Sequence, residues 1–311
     1  MIGIRAIASY LPETRLDNLR QAEKFGETPA FINDKIGAIA LPVKDAGQEA
    51  SDLAVKAVER LCSQHGLAKV AIDALVVVTQ NPDGAGLPHT AAILQRKLDL
   101  PTTVAAFDIS LGCSGFVYGL SIVRGLMDQA GLKNGVLVTA DPYSRVIDRE
   151  DRITSLLFGD AATATWLCED SPWTFGRPLL ETDGKGADTL FVDQGRLRMN
   201  GREVFNFAAV RVPQQISRWL SDNDLEPNDI DLYCLHQGSA SIVDAISRRF
   251  PQVRDRFLKD IRETGNTVSS SIPLLLEKYV LGSAADRVLI CGFGVGLSWA
   301  TNLIQKVTQD D

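Results

Sequence analysis

Apolar positions along the chain fall into two rhythms. Four short runs are almost continuously apolar: IDALVVVTQ at 72–80, GVLVTAD at 135–141, IDLYCLHQ at 230–237 and RVLICGFG at 287–294. Runs without polar alternation predict strands covered on both faces. Between them lie ASDLAVKAVERLCSQHG at 50–66, SGFVYGLSIVRGLMDQAG at 114–131 and SASIVDAISRRF at 239–250. Their apolar residues recur three and four apart, the spacing of a helix with one buried face. In the first, Ser51 and Asp52 offer N-cap chemistry and Gly66 a stop. Strands alternating with helices predict an α/β architecture with mainly parallel pairing.

The rhythm repeats. Ile72-Asp73 opens one apolar run and Ile230-Asp231 another, and Val136-Leu137-Val138 recurs as Val288-Leu289-Ile290. The shift that carries Ile72 to Ile230 also sets Asp108 opposite Asn266 and Cys113 opposite Ser271. Two halves of one topology are expected, 1–170 and 171–311, each of roughly 150 residues. The stretch from Ser171 to Gly201, rich in Gly, Pro and Asp, is the expected crossing between them.

Composition narrows the class. With 45% hydrophobic and 23% charged residues, the 311-residue chain can bury a sizeable core. A net charge of −7 without a basic stripe argues against a nucleic-acid partner. The five cysteines (Cys62, Cys113, Cys168, Cys234 and Cys291) are odd in number and form no CxxC pair, which fits reduced thiols in a cytoplasmic protein. Three histidines, His65, His89 and His236, do not cluster into a metal-site pattern. The N-terminal stretch lacks a signal-peptide core, and no apolar run reaches membrane-spanning length.

Four segments carry candidate chemistry. In AAFDISLGCSGFVYGL (105–120), a strand is expected to end near Ile109 and a helix to begin at Cys113 or just after it. A thiol at a helix N-terminus sits in positive potential, which favours the thiolate nucleophile. The bland alternative is a buried, inert Cys between packing glycines. His236 falls at a strand end, where side chains face the crevice outside the sheet, although a lone His is as readily a core or capping residue. Asn266, in ETGNTVSSSIPLLLE, reads by itself as a turn before a helix cap. Gly292, Gly294 and Gly296 follow a strand near the C-terminus with no βαβ unit after them, which disfavours a dinucleotide loop. Such glycines let a backbone N–H approach an oxyanion.

Together these segments resemble the ketoacyl-(acyl-carrier-protein) synthase III branch of the thiolase superfamily. The resemblance runs through QEASDLAVKAVERL, FDISLGCSGFVYGL, DRITSLLFGDAATATWL, the HQ strand end, GNTVSSSIPLLLE and GFGVGLSW. It implies a thiolase-like fold of two duplicated αβαβα halves in a five-layered core, usually a homodimer. It implies that Cys113 takes an acyl group from a CoA or carrier thioester, with the backbone N–H groups of Cys113 and Val295 as oxyanion hole. His236 and Asn266 then match the pair that binds a malonyl thioester during decarboxylative Claisen condensation. No cofactor is implied, since CoA or phosphopantetheine thioesters enter as substrates, and an acyl carrier protein is an implied partner. Phe31, Lys35, Arg152 and Phe205 match tunnel and nucleotide contacts, and Leu87 matches a residue reaching the partner's acyl pocket, with His89 near it. Leu87, Leu111, Phe116, Leu156 and Phe158 are expected to set pocket volume.

The chain also departs from the family pattern. Ser241 stands where the family carries an Arg that helps hold the carrier, Lys35 replaces an Arg, and Phe31 replaces a Trp. Leu111 and Gly112 precede the Cys where two small residues are common. These differences point to a specialised relative. Two other functions remain open from the residues: transfer of the Cys-bound acyl group to an alcohol or amine without condensation, and a partner subunit of a heteromeric synthase.

Overall fold

The protein is described here by a computed structural model covering residues 1–307. Ten strands form its main sheet system: β1 (Gly3–Tyr10), β2 (Ala74–Val78), β3 (Ala105–Ile109), β4 (Gly135–Ala140), β5 (Ala162–Cys168), β6 (Trp173–Phe175), β7 (Leu179–Thr182), β8 (Leu232–Leu235), β9 (Arg287–Gly294) and β10 (Ser298–Lys306). Their order is β8-β9-β10-β6-β1-β5-β4-β2-β3, with β7 added on β10. The two sides meet where Ile4 pairs with Trp173 alone.

The continuous apolar runs are explained by which face each residue takes. In β2, Val76 and Val78 join one core and Leu75 and Val77 another. In β9, Val288 and Ile290 join the first core and Leu289 and Cys291 a third. The shared core holds the helix Gly115–Ala130 and the helical segment from Ser271 to Val280, so these lie between the two sides. Helices Ala50–His65 and Thr90–Leu98 cover the outer face of β2 and β4. Helices Gly201–Asp222 and Ala240–Ser247 cover the outer face of β8 and β9. The result is five layers, helix–sheet–helix–sheet–helix. Strands with both faces covered have no place for polar alternation.

Pairing follows the same plan on both sides. β2 runs parallel to β4, β4 antiparallel to β5, and β5 antiparallel to β1. Likewise β8 runs parallel to β9, β9 antiparallel to β10, and β10 antiparallel to β6. The expected predominance of parallel pairing is therefore corrected: only the β2–β3, β2–β4 and β8–β9 pairs are parallel among the described residues. The glycine-rich turn between Gly294 and Ser298 is too short for a helical crossover, so β10 has to return antiparallel. β3 also has a counterpart, reduced to a single parallel bridge between Tyr233 and Phe257.

Two local expectations change. The N-cap of Ala50–His65 is Glu49, in a reciprocal capping box with Asp52. Ser51 is instead buried, with its N–H and hydroxyl both donating to Asp83. Gly66 does end that helix, at φ 72°. The Ser171–Gly201 stretch is no plain connector, because it contains β6, β7 and a hairpin of Leu190–Asp193 with Arg196–Met199. Its turn uses Gln194 and Gly195, both at positive φ, which suits a tight hairpin. No helix among the described residues is long and apolar enough to cross a membrane.

Candidate active site

Cys113, His236 and Asn266 all open onto one cavity of about 200 Å³. Cys113 lies between β3 and the helix that starts at Gly115, one residue after the N-cap Ser114. Ser114 fixes this corner across the molecule, its hydroxyl 2.9 Å from that of Ser298 in β10. Gly294 is the glycine the corner requires: a Cβ there would stand 2.8 Å from the Cys113 sulfur. The backbone N–H groups of Cys113 and Val295 lie near that sulfur and favour its charged form.

The thiol is not, however, the resting thiolate its helix position suggested. Cys113 is 5% exposed, and burial, followed by the negative field of Asp141, pushes its pKa up to about 12. The two N–H donors pull the other way but do not win. Desolvation of the charged form is the larger effect.

His236 follows β8, its N–H bonded to the Cys291 carbonyl at 2.9 Å. The ring packs edge-on against Phe293, centroids 5.3 Å apart. Its Nδ1 lies 2.7 Å from the Ser271 hydroxyl. Burial drives its pKa down to about 3, so the imidazole is neutral and carries one N–H.

Asn266 is held on both sides. Its N–H donates to the Leu157 carbonyl at 2.8 Å and its carbonyl accepts from Gly159 at 3.1 Å. Its side-chain oxygen accepts from the Val268 N–H at 2.9 Å, which aims the amide nitrogen away from that oxygen's partner. The price is strain, with Val268 at φ 54°, where a β-branched residue is an outlier. Gly265, at φ 63°, is equally constrained, since a Cβ would meet the Leu41 side chain at 2.3 Å and the Leu157 carbonyl at 2.8 Å. The site thus offers a neutral thiol, two backbone donors, a neutral imidazole and a fixed amide.

The tunnel residues separate into two groups. Phe31, Lys35, Arg152 and Phe205 all line the cavity. The Arg152 guanidinium stands 6.0 Å from the Phe31 ring centroid and pairs with Glu27. Ser241 lines it too, bonded to the Ser239 hydroxyl at 3.0 Å. Leu87 is not among the lining residues; it is 92% exposed. His89 is exposed, near the Ala106 carbonyl at 3.2 Å. Of the five residues expected to set pocket volume, Phe158 alone lines the cavity. Phe116 and Leu156 are fully buried in other clusters, Phe116 in the central core and Leu156 against Ala22 and Ile32.

Sequence reasoning missed Ser271, read there only as a duplicate of the Cys113 position within a serine run. It also missed Tyr143, which lines the cavity, stacks on Phe158 at 5.0 Å and donates to the Gln80 side-chain oxygen at 3.0 Å. Asp141 beside it is fully buried, with its pKa pushed up to about 6 by burial despite donors from Ser269, Gln80 and Thr79. Both follow a strand end, the signal that had singled out His236. Leu190 and Met199, from the hairpin, supply an apolar wall.

Residues 107–184 match the family described as 3-oxoacyl-[acyl-carrier-protein (ACP)] synthase III, and residues 220–306 match its C-terminal part. The chain is 32% identical to a beta-ketoacyl-[acyl-carrier-protein] synthase III of Lactococcus lactis subsp. cremoris (strain MG1363), over 97% of this chain and 98% of that one. The chain belongs to the synthase III family. It is therefore an acyltransferase-type condensing enzyme with the thiolase fold. The solved synthase III of Thermus thermophilus superposes with a TM-score of 0.90 at 32% identity, covering 98% of this chain and 99% of that one. A priming beta-ketosynthase of the R1128 polyketide biosynthetic pathway superposes at 0.88 with 26% identity, covering 98% and 96%.

Proposed function

We propose that this synthase III relative loads an acyl group from CoA or a carrier onto Cys113 and condenses it with a malonyl thioester, losing CO2. The observation that carries the reading is the convergence of Cys113, His236 and Asn266 on one apolar-walled cavity. Acylation begins with the neutral thiol. Its proton leaves as sulfur attacks, and the two N–H groups at the sulfur become donors to the oxyanion once the acyl carbonyl arrives. In the second step the neutral His236 and the Asn266 amide donate to the malonyl thioester carbonyl. Those bonds strengthen as the enolate charge forms, which is where they accelerate the reaction. The enolate carbon then attacks the acyl-Cys113 thioester.

Lys35 and Arg152 are the cations lining the cavity, and with Phe31 and Phe205 they suit a nucleotide or phosphopantetheine arm. Ser241 supplies no charge there, so the grip on a carrier protein differs from that of relatives with Arg. The reading assigns the nucleophile to a half spanning 1–170 and the donor pair to one spanning 171–311. It also takes the enzyme as a cytoplasmic homodimer. β3 lies at the sheet edge and Leu87 is exposed, both fit to be covered by a second copy.

The test is the intact mass of the protein after mixing with a panel of acyl-CoAs, with Cys113→Ala as control. One acyl increment, absent in the control and removed by a malonyl donor with CO2 release, is the expected result. An increment that moves to an alcohol or amine without CO2 release would instead favour simple acyl transfer.

A further inference from the structure

A second cavity, of about 460 Å³, lies against the other side of the site's polar frame. Gln237, Thr267 and Ser271 line it, and its rim residues Glu263 and Lys278 are exposed, so it meets bulk solvent. Thr267 is 1% exposed and its hydroxyl has no partner in the protein. A buried hydroxyl in that position is costly unless water satisfies it. Ser271 connects the two cavities. It lines the second, while its hydroxyl lies 2.7 Å from Nδ1 of His236, which lines the first. The same hydroxyl is 3.0 Å from the Val268 carbonyl, so its proton has two alternative acceptors.

The condensation reading, on which this inference rests, leaves a proton debt. Loading Cys113 is neutral overall, since one thiol replaces another. Condensation is not. The malonyl carboxylate departs as CO2 and leaves its electron pair on carbon. The carbon–carbon bond forms, the carbon–sulfur bond to Cys113 breaks, and the sulfur keeps that pair. The enzyme ends one proton short of its starting thiol.

We propose that the second cavity delivers this proton through Ser271 and His236. Water protonates the Ser271 oxygen, Ser271 passes its own proton to Nδ1, and the Nε2 proton moves to the Cys113 thiolate. The hydroxide left behind equilibrates with solvent. During loading the relay runs in reverse: the Cys113 proton goes to Nε2, the Nδ1 proton returns to Ser271, and solvent protonates the departing CoA sulfur. The two acceptors of Ser271 match these two states, Nδ1 in one and the Val268 carbonyl in the other. Burial makes an imidazolium unfavourable, so a proton has to arrive at one ring nitrogen as another leaves.

The experiment separates one turnover from many, because the first condensation on pre-acylated enzyme needs no proton and every later cycle does. Mass and CO2 measurements on the unaltered enzyme come first; absence of acylation or of CO2 release sinks the condensation reading itself. With both present, Ser271→Ala is expected to keep the first-turnover burst within about threefold while steady-state turnover falls about tenfold or more, with an altered solvent deuterium isotope effect. Ser271→Thr restores turnover, and Thr267→Val, which changes volume little, shows the same split more weakly. Equal loss of burst and turnover would make Ser271 a simple prop for the imidazole and overturn the relay. So would unchanged kinetics in Ser271→Ala and Thr267→Val.

Discussion

The two sides of the molecule share one pairing plan but hold their candidate site residues in different ways. Cys113 stands between a full outer strand, with five residues of β3 paired to β2, and a helix of 16 residues. On the other side the outer strand shrinks to the Tyr233–Phe257 bridge, and the matching helical segment is shorter, an α-helical Ser271–Leu275 continued by the π-helical Leu276–Val280. Asn266 is consequently positioned by irregular backbone, strapped onto Leu157 and Gly159 of the opposite side. Regular structure can place a nucleophile, because it needs only one atom at one point. Of the two expected donors, His236 still follows a strand, and only Asn266 is aimed by a strained loop.

The largest expected effect breaks the comparison on the nucleophile side. Cys113→Ala abolishes covalent acylation, read as loss of the mass increment. Next, Asn266→Ala lowers CO2 release from a malonyl donor by about 100-fold to 1,000-fold, while acylation of Cys113 stays within a few-fold. Parallel losses in both steps would show that the two sides do not divide the chemistry as proposed. Third, because burial holds Cys113 protonated up to about pH 12, its alkylation by iodoacetamide is expected to climb about tenfold per pH unit from 7 to 9. A plateau near pH 8 in the mass-spectrometric rates would contradict this. The smallest effect sharpens the loop side. Gly265→Ala meets side chain and backbone at once and is expected to cost about 2–3 kcal/mol. Gly131→Ala, at φ 65° with open space around it, is expected to cost about 1 kcal/mol. Denaturant melts of the two variants decide whether the crowding around Gly265 matters.

Much of the frame was legible from the chain. The four apolar runs all contain strands, at Ala74–Val78, Gly135–Ala140, Leu232–Leu235 and Arg287–Gly294, because two covered faces leave a strong apolar signal. Strand direction was less legible, since it depends on the length of connections rather than on the strands. That Cys113, His236 and Asn266 meet at one cavity was readable because strand ends, glycines and family motifs flag them together. Ser271 was not, because its role lies in a hydrogen bond across 35 positions, and a serine before a helix looks like a cap. The hairpin wall escaped notice because its strands are short and expose Phe191 and Val192 while burying Leu190 and Leu197, which gives too brief a pattern to separate from a loop.

That hairpin has a consequence for diversification. It contributes Leu190 and Met199 to the cavity wall, yet among the described residues its strands form a two-stranded sheet apart from the ten-stranded one, tied to the Val146 carbonyl through the Leu197 N–H. Lengthening or retyping it around Gln194-Gly195 therefore alters the shape of the chamber without disturbing a single register of the main sheet. A descendant enzyme could explore new acyl partners by trading this one ribbon, while the layers that assemble the reactive residues are inherited unchanged.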